Sequence, residues 1–153
     1  MSEHSPRTRQ VEAISDGTVI DHIPTEATLL VANLLSREAD QVFIGMNLRS
    51  ARVGRKGLVK ISGRELGERQ LSCLALIAPS ASVSIIRNYQ VIHKGPVALP
   101  ARFEGIAKCA NPNCVTNHEQ WTTRFDVVNP NPLTVRCFYC ERSFDTGELH
   151  VVH

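Results

Sequence analysis

Two close pairs of cysteines in the last third of the chain constrain its fold more than any other feature. Four residues separate Cys109 from Cys114, and two separate Cys137 from Cys140. Zinc takes four thiolates at about 2.3 Å in a tetrahedron, and a tight turn within each pair aims both sulfurs at one point. A closed site of four cysteines has no position for water or substrate. The spacing therefore predicts one structural zinc ion per chain.

Buried free thiols or a redox-active pair are the alternatives for these cysteines. The second pair alone has the spacing of a redox motif, but a matching first pair favours metal binding. Neither His118 nor His150 is required as a ligand, and we interpret both as surface residues. The fifth cysteine, Cys73, lies beside the apolar face of a predicted helix, so we interpret it as a buried and inert side chain.

The opening residues and the charge balance limit the class of protein. Residues 1–10 lack the apolar run of a secretory signal, and no later segment reaches the roughly 20 apolar residues that span a bilayer. We therefore expect a cytoplasmic protein without a membrane partner, in which reduced thiols bind metal rather than form disulfides. The net charge of +2 is too small to imply nucleic-acid binding by itself.

Apolar periodicity before the cysteines predicts alternating strands and helices. Strands are predicted over residues 18–23, 41–48, 57–61, 83–86 and 89–92. Helices are predicted over residues 24–37 and 64–78, with Leu30 on the apolar face of the first. A loop containing Arg49, Arg52, Arg55 and Lys56 is expected between the second and third strands. This order predicts the α+β class, as a ferredoxin-like split βαβ sandwich with both helices on one face of the sheet.

The pattern also divides the chain into segments. Residues 1–10 are predicted to be a mobile N-terminal arm, residues 11–95 the α+β sandwich, residues 96–103 a linker and residues 104–153 a small β-rich zinc domain. The last segment has too few apolar residues for an independent core, so the metal is expected to hold it together.

Polar residues on three predicted strands are candidates for binding a phosphorylated ligand. Alternation places Lys60 on the open face of the sheet, and Lys94 near the end of a later strand can join it. With His22 these cations suit phosphates, while Asp21 suits ribose hydroxyls. The competing interpretation is a set of solvated surface side chains. Adjacent strand residues point to opposite faces, so Asp21 and His22 can share a ligand only if the strand bends there.

Several motifs together resemble one known family. They are Val-Glu-Ala-Ile at 11–14, Gly-Thr-Val-Ile-Asp-His-Ile-Pro at 17–24, Gly-Arg-Lys at 54–56, Leu-Val-Lys-Ile at 58–61, Ala-Pro at 78–79, Asn-Tyr at 88–89 and the two cysteine pairs. In this set and order the chain resembles the regulatory chain of aspartate carbamoyltransferase over nearly its whole length. The resemblance implies a non-catalytic subunit that controls pyrimidine biosynthesis.

The resemblance also implies ligands, partners and roles for individual residues. Residues 11–95 would form an effector domain that binds CTP as inhibitor, UTP in synergy with it, and ATP as activator, with magnesium accompanying the nucleotides. The zinc domain would dock on the catalytic chain, and two regulatory chains would pair through their effector domains. Ala13, Ile14, Tyr89 and Val91 would frame the base, and Asp21 would bind the ribose. His22, Lys60 and Lys94 would bind the phosphates, and Lys56 would serve a second nucleotide. Asn111 and Asn113 would lie near the catalytic chain.

Three positions depart from the family pattern. Ser84 replaces an asparagine near the base, His93 replaces a glycine before the phosphate lysine, and Arg52 replaces an acidic residue. An added cation at position 52 is expected to attract phosphate and to weaken a metal that bridges two nucleotides, so UTP synergy is expected to be reduced.

Two other classes of protein compete with this interpretation. A zinc-ribbon nucleic-acid binder would explain the cysteines, but the basic residues lie outside the zinc segment. A zinc hydrolase requires an open metal position, which four cysteine ligands do not leave.

Overall fold

The computed structural model describes residues 13–51 and 54–152. The first part contains a five-stranded antiparallel sheet in the order β2-β3-β1-β4-β5. Its strands are β1 (Gly17–Ile23), β2 (Val42–Ser50), β3 (Gly54–Ser62), β4 (Ser82–Arg87) and β5 (Gln90–Pro96). Two helices accompany it, α1 (Thr28–Leu35), preceded by a 3₁₀ turn at Thr25–Ala27, and α2 (Glu68–Ile77). The predicted N-terminal arm, residues 1–10, lies outside the described residues.

The order of the strands confirms the predicted split βαβ arrangement. Strand β3 lies between β1 and β2, and β1 lies between β3 and β4. One face of the sheet packs against the helices, where Ile20 and Val59 are fully buried together with Val31 of α1 and Leu74 of α2. The other face carries the alternate residues of the same strands and is open.

The first helix buries Val31 and Leu35 of the predicted apolar face, but not Leu30. Leu30 is 50% exposed, whereas Thr28, Val31, Ala32 and Leu35 are the buried residues. The helix also ends at Leu35, two residues earlier than predicted, because Ser36 adopts an extended conformation. In a short helix with apolar residues on several sides, the packing partners decide which stripe is buried.

The basic segment after β2 is part of a hairpin rather than a loop. Arg49 lies in β2 opposite Arg55 of β3, and Lys56 lies opposite Leu48. The paired strands therefore extend further than their apolar residues indicated, because cross-strand backbone hydrogen bonds form regardless of side-chain polarity. Arg52 lies outside the described residues.

Arg64 precedes α2 and does not belong to it, contrary to the predicted helix start. Its guanidinium donates to the Leu35 carbonyl at 2.6 Å, to the Asp40 carboxylate at 2.7 Å and to Gln70 Oε1 at 3.0 Å. It thus caps the C-terminal end of α1 and joins it to the first turn of α2.

Replacing Arg64 by alanine is expected to lower the free energy of unfolding by about 3 kcal/mol, because the largely buried Asp40 carboxylate loses its cationic partner and the Leu35 carbonyl keeps only the longer bond from Gln70 Nε2, at 3.2 Å. Urea denaturation measures the change. The matched control is Arg87→Ala, which removes an exposed ion pair with Glu65 and is expected to cost less than about 1 kcal/mol. Equal losses for the two variants would contradict the capping role.

The second part of the chain is a small β-rich domain. Its main sheet has the order β10-β9-β8-β6 and consists of β6 (Arg102–Glu104), β8 (Arg124–Pro130), β9 (Leu133–Cys137) and β10 (Ser143–Asp145). A second ribbon pairs β7 (Ala107–Lys108) with β11 (His150–Val151). Phe103, Phe125 and Val135 form its buried centre. None of the described helices has the length and apolar character needed to cross a membrane.

Candidate functional site

The four cysteines of the β-rich domain converge on one point. Cys109 follows β7, Cys137 ends β9, and the sulfurs of all four lie within 4.8 Å of one another. The Sγ atoms of Cys109 and Cys140 are 3.7 Å apart, and those of Cys114 and Cys137 are 3.8 Å apart. Four ligands at about 2.3 Å from a tetrahedral centre are about 3.8 Å from each other, so the sulfurs fit a tetrahedral metal ion.

Local hydrogen bonds shape the first cysteine turn. Asn111 Oδ1 accepts from the backbone N–H of Asn113 at 3.0 Å, and the Asn111 carbonyl accepts from the N–H of Cys114 at 3.0 Å. The amide of Asn117 donates to the carbonyls of Cys109 and Asn111 at 3.1 and 2.7 Å. Asparagine side chains stabilise turns through such bonds, which explains why this sequence holds two cysteines close together.

The environment of the thiols suits a cation. Burial raises the pKa of the Cys109 and Cys137 thiols above the usual range. Burial also acts to raise the pKa of Cys140, but hydrogen bonds from the Arg142 backbone and from Asn111 outweigh it and lower this pKa to about 7. Four packed sulfurs cannot all ionise without a compensating positive charge, and a bound metal ion supplies it. The donor set therefore fits the metal that the spacing predicted.

The other sulfur and imidazole side chains are not part of this cluster. Cys73 is 8% exposed within α2, in the other domain. The ring Nε2 of His118 lies 2.9 Å from the Pro112 carbonyl, and His150 lies on β11 beside Lys108. Among the described residues, only the four cysteines form a metal-binding group.

A cavity of about 510 Å³ opens on the sheet face that the helices leave uncovered. Six of the residues predicted to bind nucleotide line it, namely Ala13, Ile14, Asp21, Lys56, Lys60 and Tyr89. Five further lining residues were not singled out for this role from the sequence, namely Val19, Leu48, Arg49, Leu58 and Ile86. Alternation along β1 and β3 would have found Val19 and Leu58, which lie two residues from Asp21 and Lys60.

Strand β3 supplies two lysines to this cavity, in addition to Arg49 of β2. Lys56 and Lys60 lie four residues apart on it, so both face the open side with Leu58 between them. The ammonium of Lys56 is 2.8 Å from the Asp21 carboxylate of β1. The positive charge of Lys56 is thus partly neutralised by Asp21, and the cavity lining also contains the Lys60 ammonium and the Arg49 guanidinium.

A tight turn brings Tyr89 to the rim of the cavity. Asn88 and Tyr89 have φ angles of 50° and 61°, and they connect β4 to β5. The backbone N–H of Tyr89 donates to the Ser15 carbonyl at 2.9 Å, which holds the turn against the segment before β1. The ring is 71% exposed, so it is available to stack on a planar ligand.

The edge strand β5 carries two more of the predicted residues. Cross-strand pairs run from Lys60 through Val19 and Ser84 to Lys94, so both lysines lie on the open face. The strands of Lys60 and Lys94, β3 and β5, are three strand spacings apart in the sheet, or about 14 Å at the backbone. Two long lysine side chains can narrow this distance between their ammonium groups. Val91 is opposite Ile86 and is 57% exposed.

His22 does not line the same cavity as the lysines. Strand β1 has an irregular register between Ile20 and Ile23, and His22 has a φ of 57°, so the strand does bend where a shared ligand would require it. The ring, however, lies 2.9 Å from the Ser82 hydroxyl through Nδ1 and borders a separate cavity of about 320 Å³. Its backbone N–H still donates to Asp21 Oδ1 at 2.7 Å, which orients that carboxylate.

The Asp21 carboxylate is expected to make stability depend on pH. Burial acts to raise its pKa, but the hydrogen bonds from Lys56 and from the His22 backbone outweigh burial and lower the pKa below its ordinary value of 3.8. A lowered pKa stabilises the folded state above the ordinary value, and this contribution disappears as the pH falls through the folded-state value. We therefore expect Asp21→Asn to cost about 1 kcal/mol at pH 7 and progressively less below about pH 4.

Urea denaturation of the wild type and of Asp21→Asn at pH 7 and pH 3 measures the difference in their free energies of unfolding at each pH. Loss of metal in acid affects the two proteins alike and cancels. A gap between them that is the same at both pH values would mean that the substitution acts through packing rather than charge.

Comparison with known proteins places the two domains in one family. A family model described as aspartate carbamoyltransferase regulatory chain, allosteric domain, matches residues 9–98, and one described as the metal binding domain of that chain matches residues 101–150. The aspartate carbamoyltransferase regulatory chain of Pyrococcus horikoshii is 47% identical over 144 residues, which cover 92% of this chain and 95% of that protein. That of Thermococcus kodakarensis is 44% identical over 147 residues, covering 94% and 97%. That of Bacteroides fragilis is 36% identical over 154 residues, covering 99% and 100%.

Proposed function

This chain belongs to the family of aspartate carbamoyltransferase regulatory chains, and from that premise we propose that its open-face cavity binds CTP and UTP as inhibitors and ATP as activator. It is a regulatory, non-catalytic chain with an allosteric domain and a metal-binding domain. The observation that carries the proposal is the cavity itself, which joins ammonium groups, a carboxylate and an exposed aromatic ring. A nucleoside triphosphate requires partners of these three kinds.

Each part of the nucleotide has a candidate partner. Lys60 and Lys94 lie on one row of the sheet and suit the phosphates, with His22 as a further donor if its ring turns from Ser82. Asp21 suits the ribose hydroxyls. The base would be framed by Ala13, Ile14, Tyr89 and Val91. Lys56 would leave Asp21 to serve a second nucleotide, whose phosphates magnesium would help to neutralise.

We propose zinc as the ion of the metal-binding domain. Four thiolates in a tetrahedron favour zinc over magnesium or calcium, which take oxygen ligands. A zinc ion with four protein ligands is structural and supplies folding energy rather than catalysis. Reduced thiolates of this kind also suit the cytoplasm, where we propose that the protein works.

The two domains would contact different protein partners. The metal-binding domain would dock on the catalytic chain, with Asn113 exposed on the first cysteine turn and Asn111 behind it. Two regulatory chains would pair through their allosteric domains. Strand β2 suits this pairing because it is an edge of the described sheet and exposes Ile44 and Met46 at 43% and 42%.

Calorimetric titration of the chain with CTP, ATP and UTP tests nucleotide binding directly. Saturable binding of each nucleotide is expected, with weak salt dependence compared with a nucleic-acid binder. Reconstitution with the catalytic chain should then make carbamoyl transfer sensitive to CTP and ATP. Absence of binding by the correctly folded, metal-loaded chain would contradict the proposal.

A further inference from the structure

Three aromatic rings form a connected group on the surface of the metal-binding domain. The rings of Trp121 and Tyr139 have centroids 5.4 Å apart, and those of Tyr139 and Phe138 are 5.3 Å apart, edge to face. The guanidinium carbon of Arg124 lies 4.3 Å from the centroid of the Phe138 ring. We call these four residues the aromatic surface.

The aromatic surface is exposed where burial would be expected. Trp121 is 53% exposed and Phe138 is 52% exposed, although the buried centre of the same domain contains other phenylalanines. Exposed tryptophan and phenylalanine side chains in mutual contact are uncommon on a surface that faces only water. This group also contains the single tryptophan of the chain.

The metal cluster and the backbone hold the aromatic surface in place. Phe138 and Tyr139 are the two residues between the ligands Cys137 and Cys140, so the metal site fixes their backbone. The hydroxyl of Tyr139 donates to the Thr122 carbonyl at 3.0 Å, and the N–H of Phe138 donates to the Arg124 carbonyl at 2.9 Å. Rings that are ordered before binding lose little conformational entropy when they bind.

The charges around the rings favour a protein partner over a nucleic acid. Arg102 and Arg124 both contact the Asp126 carboxylate, at 3.1 and 3.6 Å, and Arg136 contacts Glu141 at 3.7 Å. A nucleic acid needs several uncompensated cations for its phosphates. Within the described part of the chain, Arg142 is an exposed cation of this region without an ion pair, which suits one carboxylate on a partner rather than a polyanion.

The aromatic surface adjoins the first cysteine turn, residues 109–114, which is proposed above to dock on the catalytic chain. Because the four sulfurs lie within 4.8 Å of one another, the Cys137–Cys140 turn adjoins the first cysteine turn, which carries Asn113. The Sγ atoms of Cys109 and Cys140, one from each turn, are 3.7 Å apart. One partner can therefore cover both turns.

We propose that the aromatic surface is the main apolar anchor by which this chain docks on the catalytic chain, and that it enters an apolar recess bordered by a carboxylate. This inference rests on the proposed function, since it identifies the surface that meets the proposed partner. Tryptophan, tyrosine and arginine at the centre of an interface supply most of its binding energy. Asn113 then contributes to the rim.

Binding of purified catalytic chain to immobilised, metal-loaded regulatory chain tests the proposal. Trp121→Ala and Phe138→Ala are each expected to weaken binding about 30-fold or more, as at interface hot spots, while Trp121→Phe retains most of the affinity. Leu29→Ala is the matched control, because Leu29 is equally exposed, at 52%, on α1 of the other domain. Metal content and circular dichroism should be unchanged in all four variants.

A second measurement uses the single tryptophan. Incorporation of 5-fluorotryptophan into the regulatory chain alone gives one fluorine signal, which is expected to shift and broaden when catalytic chain is added. If the wild-type chain does not bind catalytic chain, the proposed function itself fails. If it binds and the Trp121 and Phe138 variants bind equally well, the inference is overturned. The inference is also overturned if the wild-type chain binds a single-stranded oligouridylate and the Trp121 and Phe138 variants lose that binding while they still bind catalytic chain.

Discussion

Replacing Cys114 by serine is expected to abolish metal binding and to unfold the β-rich domain. Cys114 is 1% exposed, and its sulfur is one of four within 4.8 Å. Structural zinc contributes about 10–16 kcal/mol to the folding of small domains at neutral pH, which equals or exceeds the total stability of most proteins. The described core of this domain is small, so packing is not expected to replace the lost metal.

Metal content by mass spectrometry and emission from Trp121 measure this outcome. The metal should fall well below one ion per chain, and association with the catalytic chain should disappear. The matched control is Cys73→Ala, a buried cysteine outside the cluster, for which we expect retained metal and a loss of about 1–2 kcal/mol. A Cys114→Ser protein with full metal content and unchanged thermal unfolding would refute the structural role of the cluster.

Replacing Lys60 by methionine is expected to weaken binding of CTP and ATP about 10- to 100-fold. Lys60 lines the open-face cavity and lies on the row of residues that ends at Lys94. A charge-assisted hydrogen bond to phosphate contributes about 1.5–3 kcal/mol, and methionine keeps the apolar stem while removing the charge. The loss of binding affinity should be large for the nucleoside triphosphates and small for the corresponding nucleosides.

Titration of wild type and Lys60→Met with CTP and with cytidine separates charge from fold. Affinity for cytidine should be similar in the two proteins, since cytidine has no phosphate. Lys108→Met, a change at an exposed lysine of the metal-binding domain, is expected to leave CTP affinity unchanged. If Lys60→Met weakened cytidine and CTP equally, the lysine would act on the shape of the cavity rather than on phosphate.

Local features of the sequence were sufficient to predict the metal cluster and the order of the strands. The two cysteine gaps and the asparagines of the first turn act over a few residues, so they hold the two sulfurs of each pair close together. The alternation of residues 57 to 61 likewise predicted that Lys60 emerges on the open face, whereas Lys56 was expected in a loop. The meeting of the two cysteine pairs, in contrast, joins residues 23 to 31 positions apart, and it was predicted because one metal ion requires all four ligands.

Features that depend on long-range pairing were not predictable in the same way. The helix that was expected to begin at Arg64 begins at Glu68, because the Arg64 side chain donates hydrogen bonds to Asp40 and to the carbonyl at the end of α1. The basic segment extends the hairpin because β2 and β3 resume pairing beyond an irregularity between Gly45 and Leu48. Partners of this kind are decided between separate elements, as for Arg64 and Asp40, which are 24 residues apart, and for the two strands of the hairpin.

The sequence by itself determined the four-cysteine site, the split βαβ order and the lysines of one sheet face, because periodicity and turn chemistry are local. The tertiary structure alone decided that His22 borders a second cavity, that Asp21 pairs with Lys56, and that Trp121 meets Tyr139. A bulge in β1 redirects the histidine, and the metal-fixed turn carries Tyr139 to a ring 18 positions earlier in the chain. Such contacts arise only when folding closes the loops between them.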